Sequence, residues 1–479
     1  MRTLTFSWEY PPVIEGGLAR HVRKLSENLV GEGVEVHVLT RGSEHLAARE
    51  ERHGVIVHRV RWAGGDRFPR DVKAFIAWVA SMNEHMAQVG AELDDDLRFD
   101  LVHSHDWLVA AAAQRVARRA PRPWIATVHA TEYGRHQGWV EKYPQSHIHA
   151  AERDMVRRAD RVITCSRYMR SHVSDVFGIR PAKITAMQNG IDPRDLEPVA
   201  ENLDALRARY AEPGERLVLL VGRLVYEKGF HLALDALAPV IKHLGNVRFV
   251  VAGTGTAEAE LRRQAWRLGL HRKGVFLGWV GDDMLHSLYR IADMSIVPSI
   301  YEPFGIVALE AMASGCLCVV ADTGGLREVI PDDGTVGLRF PSRDSAALQE
   351  ILERVLTDDA ERAQLVAGGA RARPALRLGR GGPPDPRPLP PRAARRRRPR
   401  GTRQPILRAR GVSVSGGSAT PGGRSGRALN GRRARQAPGP STNTRLVWRT
   451  TSSPTCRACH RHHRRRHPSR APRRRSPRW

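Results

Sequence analysis

The chain has 479 residues, 41% of them hydrophobic, and a net charge of +27, enough length for two or three domains with sizeable cores. The charge is segregated: of 77 Lys and Arg and 50 Asp and Glu, residues 371–479 hold 31 Arg, no Lys and the single acid Asp385, which leaves 46 basic and 49 acidic residues, net −3, in the remainder. A near-neutral globular part argues against a domain-wide nucleic-acid surface.

The first residues, Met1 to Trp8, carry only a short apolar run before Glu9 and the Pro11-Pro12 pair. They read as neither a leader peptide nor a membrane span, so a cytoplasmic protein without an integral membrane segment is expected. Short β-rich runs then alternate with helical patterns. Candidate strands are Thr3–Ser7, Val34–Leu39, Val55–Val60, Leu101–His103, Trp124–Val128, Val162–Cys165 and Ile184–Gln188, with amphipathic helices at His21–Val30 and Ala110–Arg119. After the Asn189-Gly190 turn, Pro198 to Pro213 reads as a helix. A second series follows, with strands Leu217–Val221, Val247–Ala252, Val275–Leu277, Met294–Val297 and Cys318–Ala321, and helices near Phe230–Leu244, Glu258–Leu268 and Asp283–Ile291. Alternation of this kind predicts parallel sheets with crossover helices. The expected architecture is α/β: two doubly wound Rossmann-like domains, 1–200 and 201–370, facing a cleft, with residues 371–479 as a disordered tail.

Chemistry concentrates at the predicted strand ends. Ser299-Ile-Tyr-Glu-Pro-Phe-Gly-Ile-Val-Ala-Leu-Glu310 joins a short strand to a helix starting near Val307, so Glu302 lies in the loop and Glu310 further along the same side. Two acids at the carboxyl ends of parallel strands suit a ligand rich in hydroxyl groups; two solvated acids on a capped surface helix are the plainer alternative. Glu15-Gly16-Gly17-Leu18 follows the first strand and opens a helix, where free backbone N–H groups can meet an anion. Arg223 and Lys228 occupy the corresponding loop of the second domain, where two cations can neutralise a diphosphate without a metal. A solvated basic loop would look the same. His129 ends one strand of the first domain, and His103, His105 and Asp106 cluster one strand away, as polar groups for the cleft or as packed core histidines. Their spacing fits no standard metal-ligand pattern. Gly253-Thr254-Gly255 lacks the third glycine of a dinucleotide fingerprint and reads as a tight turn. Cys165, Cys316 and Cys318 fall in or beside apolar runs and read as buried thiols.

The tail lacks hydrophobic periodicity and is dense in Pro, Gly, Ser and Arg, so it cannot bury a core. A reading-frame shift near residue 371 in a GC-rich gene accounts for Arg without Lys; a basic arm that binds polyanions is the alternative. Cys456-Arg-Ala-Cys459-His460 has the spacing of a c-type haem attachment but no foldable context.

Taken together, residues 1 to about 370 resemble the retaining nucleotide-sugar glycosyltransferases of the GT-B fold, the large family that includes glycogen synthases. The resemblance rests on Glu302-Pro-Phe-Gly through Glu310-Ala-Met-Ala-Ser-Gly, on Val320-Ala-Asp-Thr-Gly-Gly-Leu-Arg-Glu, and on Arg223 and Lys228. Ser7-Trp-Glu-Tyr-Pro-Pro, His105-Asp-Trp-Leu and His129-Ala-Thr-Glu look most like the bacterial branch that builds α-1,4-glucans. The resemblance implies that Glu310 binds the ribose, Glu302 the sugar hydroxyls, and Arg223 and Lys228 the diphosphate. It also implies that the GG loop, Gly16 and Gly17, gives backbone amides to the phosphate, that His129 lies by the reaction centre, that Phe304 and Gly305 bind the donor, and that Thr323, Gly324, Gly325 and Leu326 form a loop passing close to it. No cofactor is implied beyond the donor, UDP-glucose or ADP-glucose, and the partner is a carbohydrate acceptor. Bacterial glycogen synthases carry a lysine before the first GG, where Ile14 and Glu15 stand here, so the nucleotide stays open. A mannosyltransferase, a sugar-nucleotide epimerase and an inactive polyanion-binding protein are the competing readings.

Overall fold

A computed structural model describes residues 1–372 apart from Asp66, Phe68, Arg70, Ala200 and Glu201. The expectations for the tail (disorder, the basic arm, the haem-like motif) lie outside the described residues.

The first half is an eight-stranded sheet in the order β3-β4-β2-β1-β5-β6-β7-β8. Its strands are β1 (Arg2–Phe6), β2 (Glu35–Arg41), β3 (Arg49–Arg52), β4 (Val55–Val60), β5 (Leu101–His105), β6 (Trp124–Val128), β7 (Arg161–Thr164) and β8 (Ile184–Ala186). Every pairing is parallel except β3 with β4. Helices α1 (Gly17–Gly31), α2 (Val72–Leu97), α3 (Ala110–Ala117), α4 (Glu132–Arg135), α5 (Gln145–Arg158) and α6 (Arg167–Phe177) belong to this half. Leu4, Phe6, Met82, Met86, Val102 and Trp124 are fully buried in its core.

The second half has six strands in the order β11-β10-β9-β12-β13-β14: β9 (Arg216–Val221), β10 (Val247–Ala252), β11 (Gly274–Gly278), β12 (Met294–Val297), β13 (Leu317–Asp322) and β14 (Leu338–Pro341), all paired in parallel. Around it lie α7 (Leu203–Ala208), α8 (Phe230–Leu244), α9 (Glu258–Arg267), α10 (Asp282–Ile291), α11 (Ile306–Ala313), α12 (Leu326–Val329), α13 (Ser345–Thr357) and α14 (Asp359–Ala372). Arg207 of α7 bonds Asp293 at 2.8 Å, which fastens that helix to the second sheet.

Several elements depart from the sequence expectation. The helix expected over residues 198–213 is shorter, because Asn202 caps the amides of Asp204 and Ala205 and starts the helix there. Strand β3, Arg-Glu-Glu-Arg, shows no apolar alternation because it is an exposed edge, where charge blunts further pairing. Strand β14 is a four-residue edge ending in Pro341. Helix α2 was not expected, although Trp78, Val79, Met82 and Met86 are buried at helical spacing.

In each sheet the strand order reverses once, beside β1 and β5 in the first and beside β9 and β12 in the second. Crevices outside the carboxyl ends of such strands are where doubly wound sheets bind ligands. The Gly16-Gly17, His105, Arg223–Lys228 and Glu302 segments all sit at these two points.

Candidate active site

In the second half, the loops after β9 and β12 are built as one piece. Ile300 and Tyr301 donate their backbone N–H groups to the Glu227 carbonyl at 2.8 and 3.2 Å. Gly229 has φ 67°, and a Cβ there would lie 2.0 Å from the Pro298 carbonyl oxygen. Only glycine permits this approach. The consequence is that Lys228 is carried to Glu302: Nζ donates to Oε2 at 2.7 Å, and the Ser299 hydroxyl donates to the same oxygen at 3.1 Å. Arg223 lies on the rim, its guanidinium 3.9 Å from Glu227. Its side chain keeps 54% of its surface, yet burial by the surrounding protein, together with the Arg135 charge from the first half, lowers its pKa. That combination describes a cation in a concave mouth.

Glu310 lies about one turn into α11, since residues 302–305 form a turn and the helix starts at Ile306. Its carboxylate accepts from the Tyr289 hydroxyl at 3.2 Å and is 3.6 Å from Arg20 of α1. Burial raises the Glu310 pKa, and Arg20 and Tyr289 oppose that rise. Glu302 and Glu310 are thus held by separate partners. Phe304 differs from a ligand-facing residue: its ring is buried in the core, so the backbone is what it can offer. Gly305, at φ 114°, precedes the first residue of α11. The Gly253-Thr254-Gly255 turn packs backbone on backbone, since a Cβ on Gly255 would meet the Leu224 carbonyl oxygen at 2.2 Å.

The first half presents a different surface. Glu9, 2% exposed, accepts hydrogen bonds from the backbone N–H groups of Glu15 and Gly16. Desolvation raises its pKa to about 7, against the pull of those amides. The Gly16 amide is therefore already engaged, while Gly17 opens α1 with a helix N-terminus facing the second half; a Cβ on it would lie 3.8 Å from Ile306. At the ends of β5 and β6, His105 Nδ1 and His129 Nε2 are 3.0 Å apart, and Asp106 Oδ1 accepts the His129 N–H at 2.8 Å. Asp106 takes φ 59°, a conformation that non-glycine residues rarely adopt and that often marks functional loops. Desolvation dominates here too: it lowers His21, His103 and His129 to about 3, and raises Asp106 to about 6.

Contacts across the seam bring the two mouths together. Tyr301, one residue before Glu302, enters the first half, where the Thr131 N–H donates to its hydroxyl at 3.1 Å. A Cβ on Gly134 would come within 2.2 Å of the Tyr301 ring, so glycine makes this seat. Ser166 Oγ donates to the Pro303 carbonyl at 2.6 Å, and the Tyr168 and Arg167 N–H groups donate to Glu328 at 2.8 and 3.1 Å. Arg20 also pairs with Asp282. Arg20, His21, Glu9 and Tyr301 were not singled out from the sequence. Arg20 and His21 follow the GG turn by one helical turn, the signal that could have found them.

Comparisons with known proteins fit this geometry. Residues 204–372 match the family described as Glycosyl transferases group 1, and residues 15–195 match Glycosyltransferase Family 4. The chain is 39% identical over 388 residues to a glycogen synthase of Mycobacterium tuberculosis, covering 78% of this chain and 90% of that one. In fold it is similar to sucrose-phosphate synthase from Thermosynechococcus elongatus (TM-score 0.67, 24% identity, 78% and 94% of the two chains). It is also similar to Anabaena HepE, solved with UDP and glucose (TM-score 0.62, 21% identity, 78% and 95%). Among the described residues no helix is long and apolar enough to cross a membrane. With both halves matched in order and two switch-point mouths apposed, the chain belongs to the group 1, family 4 glycosyltransferases of the GT-B fold, enzymes that transfer a sugar from a nucleotide sugar.

Proposed function

We propose that the chain is a retaining glucosyltransferase that moves glucose from UDP-glucose or ADP-glucose to an α-1,4-glucan, with residues 1–200 as the acceptor side and 201–370 as the donor side. What supports this reading is the Lys228–Glu302 pair at 2.7 Å in the loops of the second half and the packing of the Gly17 helix start against Ile306, in a chain 39% identical to a glycogen synthase.

In this reading Arg223 and Lys228 hold the diphosphate with the Gly17 amide, and Glu310 accepts from the ribose hydroxyls. Glu302, with the backbone of Phe304 and Gly305, meets the sugar, and His129 lies beside it. Breaking the bond from the anomeric carbon to the phosphate oxygen builds negative charge on the departing diphosphate. Fixed cations and a helix N-terminus are positioned to stabilise that charge. The acceptor hydroxyl bonds to the anomeric carbon on the same face and its proton passes to the departing phosphate. The sequence offers no dedicated nucleophile.

The test is nucleotide release from UDP-glucose, ADP-glucose and GDP-mannose, each with and without a maltooligosaccharide. Release from a glucose donor that depends on the oligosaccharide is expected. Release from GDP-mannose alone would favour a mannosyltransferase. Absence of release, with DNA retention lost on deleting residues 371–479, would favour a polyanion-binding protein.

A further inference from the structure

We propose that His21, His105 and His129 form a binding site for a borderline-soft divalent cation of the Zn2+ class, at the mouth of the first half. The three come from separate elements: His21 from the first turns of α1, His105 from the end of β5 and His129 from just beyond β6. One nitrogen from each lies within 4.8 Å of the other two. The rings converge, with centroid separations of 4.7 Å for His21 and His129, 5.3 Å for His105 and His129, and 5.7 Å for His21 and His105. His105 is 0% exposed, and its Nε2 has no hydrogen-bond partner. A buried imidazole nitrogen without a partner is costly unless something else occupies its lone pair or proton.

Two features suit a metal. Three histidines with an open fourth position are a known zinc geometry, with metal–nitrogen distances of about 2.0–2.1 Å. Such distances place the nitrogens roughly 3.4 Å apart. The 3.0 Å between His105 Nδ1 and His129 Nε2 is a hydrogen bond that a cation would replace, and the ligand nitrogens lie within 4.8 Å of one another. An outer partner is also present: Asp106 Oδ1 accepts the His129 backbone N–H at 2.8 Å. With no carboxylate among the three, imidazole chemistry selects Zn2+, Cu2+ or Ni2+ over Mg2+ or Ca2+. The grouping was not legible along the chain because 84 and 24 positions separate its members, and His21 lay outside the His103–Asp106 cluster.

A bound cation would occupy His129 and the space beside the Gly17 loop. If the proposed function holds, the cation inhibits transfer by competing with the donor; this consequence rests on that reading. The binding test does not. The full chain is titrated with Zn2+ by calorimetry and with Co2+ by visible absorption, alongside His21→Ala and His105→Gln. The histidines and cysteines of residues 371–479 contribute equally to all three proteins, so the readout is the difference. The site predicts that each variant loses one equivalent and the tetrahedral Co2+ band, and that Zn2+ shields His21 of the parent from diethyl pyrocarbonate, mapped by mass spectrometry. Equal uptake by parent and His21→Ala, or unshielded His21, overturns it; His21→Ala lies on a half-buried helix face, so it tests the site even if His105→Gln does not fold. Site-specific uptake that leaves nucleotide release unchanged upholds the cation site and overturns the placing of His129 beside the donor.

Discussion

The two mouths of the molecule are opposites in charge. In the second half, Lys228 and Glu302 are a formal ion pair at 2.7 Å, and Arg223 stands on the rim. In the first half, His21, His103, His105 and His129 are driven neutral and Glu9 and Asp106 are pushed toward protonation. Desolvation acts on both: it raises Glu310 in the second half as well, where the Arg20 charge of the first half opposes it. On the proposed reading, charge neutralisation of a diphosphate belongs to one half, while the other contributes dipoles, backbone amides and lone pairs.

The sharpest way to break that division is Arg223→Ala. Loss of one preorganised charge donor is expected to lower kcat by about 10²-fold or more, with a smaller change in donor KM. Near-parental turnover in a steady-state nucleotide-release assay would remove Arg223 from the site. The same change at Arg20 of the first half, which faces Asp282 and Glu310, should cost far less turnover.

Glu310→Gln probes the second half without removing bulk. If Glu310 binds the ribose as proposed, Gln still accepts from one hydroxyl but loses the charge-assisted bonds, so donor KM should rise roughly 10-fold, with kcat nearly kept. A comparable fall in kcat with unchanged KM would place Glu310 at the reacting atoms instead.

Gly134→Ala tests the seam between the mouths. The added methyl would meet the Tyr301 ring at 2.2 Å, and overpacking of this kind costs about 1–3 kcal/mol. Because Tyr301 adjoins Glu302, the change should reduce turnover as well as the melting temperature, whereas Tyr301→Phe, which loses the hydroxyl's bonds to Thr131 and Met169 but adds no bulk, should do less. Equal melting temperatures for parent and Gly134→Ala would show that the seat is not built as described.

Much of this arrangement was legible in the chain. Parallel strands announce themselves as buried apolar runs, so Val55–Val60, Trp124–Val128, Val247–Ala252 and Met294–Val297 coincide with their predicted limits. Loops bearing Arg223, Lys228, Glu302 and Glu310 could be assigned to strand ends for the same reason. Contacts made across the fold were not legible. Arg20 reaching Glu310 and Tyr301 entering a seat formed by Gly134 depend on how two sheets meet, which no local period encodes. Charged edge strand β3 was missed because an edge is stabilised by pairing on one side and needs no apolar face.

The smallest expected effect concerns Glu9, and pH sharpens it. Its carboxyl titrates near 7 in the folded protein, above its ordinary value of 4.5, because burial outweighs the bonds from Glu15 and Gly16. Between those values the folded chain holds a proton that the unfolded chain releases. Stability contributed by this group is therefore present at acid pH, falls as pH rises from about 4.5 to about 7, and is level above that. Glu9→Gln keeps an oxygen for the two amides and removes the charge. The variant should gain on the order of 1–3 kcal/mol over the parent at alkaline pH and nothing at acid pH. The buried histidines and Asp106 titrate alike in both proteins, so they cancel in the difference between denaturation midpoints measured across this range. A difference that stays flat with pH would mean that Glu9 is ionised throughout. The Gly16-Gly17 turn would then owe its shape to a charged carboxylate, and the contrast between a neutral and a charged mouth would fail at that turn.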